Sequence, residues 1–211
     1  MHTHTHTHIH TYTHTHTRTL TLHGINRIPV RLRPSLSTKV YNKPTANPTR
    51  SRQDTWRALE YLLKEGKVKA IGVSNFMPRH LDEILNVSTV GAPAVNQFEL
   101  HAGIFNLDTE VLAACNEHGI TVTGYAPLAK GALLTAPTVQ LIAAAHNKST
   151  AQIALRWLVQ QNITTIPGAD TVAYMQEDLA VFGWELSPSD VAALNAMTLP
   201  GRIYNDPNNI P

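Results

Sequence analysis

Gly66-Lys67-Val68-Lys69-Ala70-Ile71-Gly72-Val73-Ser74-Asn75-Phe76 is a helix stop, a β-rich run and a polar strand end in eleven residues. Gly66 closes what precedes it, Lys67–Val73 reads as a short strand, and Ser74 and Asn75 put a hydroxyl and an amide where that strand ends. Upstream, Asp54 reads as the cap of a helix whose stripe is Leu59, Leu62 and Leu63. Downstream, Pro78 suits the first turn of a second helix with Leu81, Ile84 and Leu85 on its buried side.

The alternation continues to the end of the chain. Ala94–Leu100 reads as a strand; Asp108 then leads a helix carrying Val111, Leu112 and Cys115 and ending at Gly119. Ile120–Ala126 is strand-like, helices follow over Val139–His146 and Thr150–Gln160, and Ser149 is a candidate cap for the second. Ile163–Pro167 gives a fourth strand and Val172–Val181 another helix. Ser187-Pro188-Ser189-Asp190 then opens a last helix with a cap, a proline and an acid at the third position. Strand and helix at this spacing predict an α/β fold of about four parallel strands joined by right-handed crossovers. Periodicity does not separate a barrel from an open doubly wound sheet. No GxGxxG follows a strand, so a Rossmann site has no support.

Composition divides the chain. Of 17 basic and 15 acidic residues, eight basic and no acidic ones precede Asp54: Arg18, Arg27, Arg31, Arg33, Lys39, Lys43, Arg50 and Arg52. The part from Asp54 onward therefore holds nine basic and fifteen acidic residues, and a domain boundary is expected at residues 52–54, separating a leader (1–53) from a folded body (54–211). The overall charge of +2 favours neither nucleic acid nor membrane as a partner, and no apolar run approaches the ~20 residues of a bilayer span. One cysteine, Cys115, excludes an internal disulfide framework and fits a reducing, cytoplasmic location.

Residues 2–22 alternate histidine and threonine, from His2 and Thr3 to His16 and Thr17, as a CA dinucleotide repeat would encode. The exceptions fit the same lattice. Tyr12, Arg18, Leu20 and Leu22 lie one base from CAC, and Ile9 one base from ACA. Alternating imidazoles would bind a transition metal in vitro, but no metal site is assigned. The acid-free, Arg- and Ser-bearing stretch 26–52 also has the composition of an organelle transit peptide, which would change the location. A disordered low-complexity leader is the preferred reading, because the tract lacks the periodic apolar residues that offset ordering entropy.

The strand ends resemble one family. Gly66–Phe76 is similar to the GKVRAIGVSNF segment at strand five of aldo-keto reductases, and Val95-Asn96-Gln97-Phe98-Glu99-Leu100-His101 to that family's NQ-x-E-x-H segment on strand six. Gly124-Tyr125-Ala126-Pro127-Leu128 resembles its AYSPL segment at strand seven. Ala151–Trp157 resembles its AQ-x-x-LRW helix, and Ile166-Pro167-Gly168-Ala169 the turn after strand eight. Five segments in order, over Asp54–Pro211, imply the second half of a (β/α)8 barrel. They also imply an NAD(P)H-dependent reduction of small-molecule aldehydes or ketones to alcohols.

In a barrel the C-terminal strand ends converge on one ligand-binding face. The resemblance implies that Ser74, Asn75 and Gln97 hydrogen-bond a nicotinamide carboxamide and that Tyr125 stacks on its ring. It places Leu128 along the pyrophosphate, Gly168 and Ala169 after strand eight, and Glu177 and Asp178 at the adenine. Taken singly, Ser-Asn after a strand is ordinarily a turn, and Tyr125 would be core packing; the ordered set turns the reading to a site. Cys115, Trp157 and Trp184 are assigned to packing, and His80, His118 and His146 to the surface.

Departures from the family are equally specific. Its catalytic aspartate, tyrosine, lysine and histidine lie on strands before the helix read from Asp54, so no catalytic residue is assigned. Tyr41 with Lys39 or Lys43, and His23, lack a matching strand-and-turn context. The chain is therefore expected to be truncated and inactive alone; the alternative is a non-catalytic nucleotide-binding or scaffold half barrel. Asp178 replaces the family's asparagine, and Asp170 and Tyr174 stand where basic or neutral polar residues hold the 2′-phosphate, so the cofactor is NADP or NAD. Open edges of a half barrel predict self-association. The tail Gly201–Pro207 is a candidate cover for the pocket.

Overall fold

The computed structural model describes residues 37–41, 48–204 and 206–209. The His/Thr tract, His23 and Lys43 lie outside the described residues. Five strands form one parallel sheet: β1 (Ser37–Tyr41), β2 (Ala70–Ser74), β3 (Val95–Glu99), β4 (Thr121–Tyr125) and β5 (Thr164–Ile166). Helices intervene: α1 (Pro48–Lys64), α2 (Pro78–Leu85), α3 (Thr109–Glu117), α4 (Pro137–His146), α5 (Thr150–Gln160), α6 (Val172–Leu179) and α7 (Pro188–Asn195).

Spatial order equals sequence order, β1-β2-β3-β4-β5, with no reversal. A doubly wound sheet reverses its order at a switch point, whereas a singly wound barrel does not. Topology thus decides what periodicity left open. The register is level within two groups and steps by two residues between them: Tyr41 pairs with Ser74, Ser74 ends β2 opposite Gln97 in the middle of β3, and Glu99, Tyr125 and Ile166 end β3, β4 and β5 together.

The beginning of the fold differs from the sequence reading. All four expected strands are present, and β1 is a fifth, inside the stretch taken for leader. Helix α1 begins at Pro48, so Asp54 sits within it and pairs with Arg57 at 3.1 Å instead of capping it. The boundary expected at residues 52–54 therefore falls inside a helix. Lys39 and Tyr41 were set aside for want of a strand context, yet both lie on β1.

Elsewhere local chemistry explains the helices. Ser149 Oγ accepts from Gln152 N while Gln152 Oε1 accepts from Ser149 N, each at 3.1 Å, and Ser187 and Asp190 repeat the exchange on α7. At α2 the residue before Pro78 is Met77, which has no strong acceptor. His80 Nδ1 accepts the Met77 N–H at 3.1 Å instead, so His80 is fully buried against Phe76, not on the surface as expected. His118 is exposed, and His146 is half-buried with its Nε2 2.8 Å from Asp190 Oδ2.

Trp56, Leu59, Phe76, Leu81, Ile84 and Trp157 are among the core residues between sheet and helices, with Cys115 on the same buried face. Each such side chain contributes roughly 1.5–3 kcal/mol on leaving water. Gly72 lets β2 and β3 close up: a Cβ there would stand 2.7 Å from Val95 O. Among the described residues no helix is long and apolar enough to cross a membrane, and no group of three His, Cys, Asp or Glu could hold a metal ion.

Candidate cofactor site

Two of the selected residues end their strands, a third lies in the middle of the strand between them, and a fourth sits in the turn after β2. Ser74 ends β2, Gln97 lies beside it on β3, and Tyr125 ends β4. Asn75 follows Ser74 with φ 60, in the left-handed region that asparagine tolerates. That turn brings its side chain back over the strand ends. Tyr125 Oη donates to Asn75 Oδ1 at 3.1 Å, and Asn75 Nδ2 to Ser74 Oγ at 3.4 Å. The Gln97 carbonyl accepts from both Ser74 Oγ (2.8 Å) and Asn75 N (2.9 Å). The structure brings all four together.

Hydrogen-bond capacity sharpens their chemistry. A serine hydroxyl has one donor, and that of Ser74 is spent on Gln97. One of its two lone pairs accepts from Asn75, so toward a ligand Ser74 offers the other, an acceptor that suits an amide N–H2. The bond to Asn75 fixes the plane of the half-buried Tyr125 ring. Ala126 follows at φ 51, a conformation that costs a non-glycine residue about 1 kcal/mol or more, and it turns the chain sharply away from the ring.

The remaining candidates form a second group. Leu128, half-buried, packs against Leu155, Val159 and Val181 and against the main core. Gly168 is exposed and Ala169 half-buried after β5. Glu177 accepts from Ser149 Oγ, and its carbonyl accepts from Gln152 Nε2 at 3.3 Å, which ties α6 to the cap of α5. Asp178 is buried; burial, then the charge of Glu177, raises its carboxyl to a pKa of about 6. Asp170 and Tyr174 are exposed nearby on the chain.

A buried ionic cluster went unassigned in the sequence. Glu99 and His101 are enclosed, with His101 Nε2 3.2 Å from Glu99 Oε1. Burial pushes the Glu99 carboxyl up, but His101 and the amides of Ile203 and Tyr204 outweigh it and hold the group below its ordinary value. Arg202 pairs with buried Asp108 and, at 3.4 Å, with Asp206. Together these residues dock the tail at the sheet end, where the Tyr204 ring meets the Tyr125 ring at 5.5 Å. The signal was present in Glu99, His101 and Arg202, charged types that are seldom enclosed without partners. What joins them is 103 positions of chain separation, from Glu99 to Arg202, which no local pattern spans.

Comparison with known proteins gives the family and the fold. The model of the "Aldo/keto reductase family" matches residues 12–198, reaching back into the His/Thr-rich tract. The oxidoreductase YtbE of Bacillus subtilis is 39% identical over 157 residues, covering 74% of this chain and 55% of that protein. Glyoxal reductase of the same organism is 39% identical over 158 residues, covering 75% and 56%. A crystal structure of a Gox0644 mutant in complex with NADPH superposes with a TM-score of 0.73 at 34% identity, over 83% of this chain and 64% of that one. The chain spans about half the length of the curated relatives it matches.

Proposed function

The chain belongs to the aldo/keto reductase family, its parallel strands being part of a TIM-type barrel, and from that premise we propose that it carries the nicotinamide-holding side of a carbonyl-reducing site. The observation that carries this reading is the connected set Tyr125–Asn75–Ser74–Gln97 at the strand ends. An acceptor hydroxyl and two side-chain amides suit a carboxamide, and a ring of fixed plane suits a flat heterocycle. Leu128 borders the path of the pyrophosphate, and Gly168, Ala169, Glu177 and Asp178 the adenosine end. When bound, NAD(P)H supplies the hydride for a small aldehyde or ketone. The glyoxal reductase and the NADPH complex among the relatives favour that substrate class and that cofactor class.

Proton delivery is assigned to no residue of this chain, which we propose binds cofactor without turning over carbonyls on its own. At the adenosine end the donor set does not match a 2′-phosphate. Asp170 is an exposed acid where a cation would be needed, and like charges repel. NADH should therefore bind at least as tightly as NADPH. Isothermal titration of the full chain with both cofactors tests this. A preference for NADPH by tenfold would overturn the assignment of Asp170, and measurable carbonyl reduction would overturn the inactive state. The buried Cys115 suits a reducing, cytoplasmic location.

A second reading, a scaffold that associates through its edges, is favoured by one feature. Val172, Met175, Leu179 and Phe182 form an exposed apolar row on and just after α6, which packs on α5, and β5 ends the described sheet. Sedimentation of wild type against Leu179→Glu tests it: a dimer that the variant dissolves supports the scaffold, and a monomeric wild type dismisses it.

A further inference from the structure

The tail after α7 is fastened on both sides of a ring that is not itself buried. Glu99, 1% exposed, accepts the Ile203 N–H at 2.7 Å through Oε1 and the Tyr204 N–H at 3.0 Å through Oε2. Arg202 Nη1 donates to Glu99 O at 3.3 Å and Nη2 to Asp108; further on, Arg79 Nη2 donates to Asn208 O at 2.9 Å. Charge-assisted bonds in an enclosed setting hold backbone firmly. Tyr204 as a whole residue remains 48% exposed. Its ring meets Tyr125 nearly at right angles, 79°, and Lys130 Nζ lies 4.6 Å from its centroid. Lys130 itself stands at φ 49 in a left-handed turn with Ala129 (φ 50) and Gly131 (φ 93), at the border of the same site. A fixed backbone under a half-exposed ring is a pivot: the ring can turn about its χ1 while the tail stays docked.

We infer that Tyr204 gates the ring seat on Tyr125, so that a nicotinamide-type ring settles there when Tyr204 turns outward. The inference rests on the ring seat proposed above. The closed position is held by one edge-to-face pair and one exposed cation–π contact, together about one factor of ten in population. A ligand that must wait for the open fraction binds more weakly by that fraction. Deleting the Tyr204 ring removes this competitor and leaves Tyr125 in place.

The test is a fluorescence titration of the full chain with NADH and with NADPH, for wild type, Tyr204→Ala and Tyr204→Phe. Tyr204→Ala should bind either cofactor roughly 3- to 10-fold more tightly, while Tyr204→Phe, which keeps the ring, should match wild type. Equal or weaker binding by Tyr204→Ala overturns the gate and leaves the ring seat standing. Absence of binding in every chain overturns the ring seat and the gate with it. Hydrogen exchange at the Ile203 amide separates ring from tail. Unchanged protection in Tyr204→Ala is expected; lost protection alongside tighter binding would assign control to tail release and overturn a gate made of the ring.

Discussion

The Tyr125 hydroxyl donates to the Asn75 side-chain carbonyl at 3.1 Å, joining residues 50 positions apart at the ends of two strands. Neither residue is placed by its own strand alone. Asn75 reaches the bond because its backbone turns left-handed after β2, and Tyr125 because β4 lies two strands along the sheet and extends two residues past the end of β2. One hydrogen bond thus sets the ring plane and the amide orientation together.

Replacing Tyr125 separates those two roles. Tyr125→Phe keeps the ring and loses the bond, so stability should fall by about 1 kcal/mol and cofactor affinity by a few-fold. Tyr125→Ala also loses the ring and should bind cofactor at least about tenfold more weakly. Isothermal titration reads both. Identical affinities for the two variants would show that the ring takes no part in binding.

Docking of the tail should depend on pH through Glu99. Its carboxyl is held below the ordinary value of 4.5 in the folded chain, because hydrogen bonds from His101 and two amides outweigh burial. A depressed carboxyl contributes stability above pH 4.5 that is lost as pH falls through the folded value. Amide exchange at Ile203 and Tyr204 should therefore accelerate in acid, and Glu99→Gln should show the faster exchange at neutral pH. The loss amounts to about 2 kcal/mol of local protection. Unchanged exchange in Glu99→Gln would shift the fastening to Arg202 and Arg79.

Asp178 has the opposite sign. Its folded pKa of about 6 lies above its ordinary 3.8, raised by burial and by Glu177. Its stabilising share is full below pH 3.8 and is lost as pH rises through about 6. Asp178→Asn should be more stable than wild type at pH 7 by about 1–2 kcal/mol and equal to it near pH 3.5. Thermal melts at the two pH values compare them; a constant difference would refute the titration.

Gly72 offers a test of the strand packing beneath the site. A methyl group there meets Val95 O at 2.7 Å, backbone that cannot swing aside. Gly72→Ala should lose roughly 1–3 kcal/mol in chemical denaturation. A variant as stable as wild type would mean that β2 and β3 separate easily, and with them Ser74 and Gln97.

Most of the fold was legible along the chain, because its signals are local. Caps such as Ser149 with Gln152 and Ser187 with Asp190 act within four residues, and the strand ends carry their own polar residues. Ser74, Asn75, Gln97 and Tyr125 are singled out by the ordered family-like segments they lie in, since taken singly they read as turn and core. Strand β1 was missed because five residues, Ser-Thr-Lys-Val-Tyr, carry little apolar signal and become a strand by pairing with β2. His80 was misplaced because its burial follows from a capping bond that its residue type alone does not announce. Tertiary structure alone decided the singly wound strand order, the register that brings Tyr125 to Asn75, and the union of Glu99 with Arg202, 103 positions apart. Local sequence sets helix caps and strand runs because those interactions lie within a turn. Convergence of distant side chains depends on how whole strands stack, and that stacking is a property of the packed sheet.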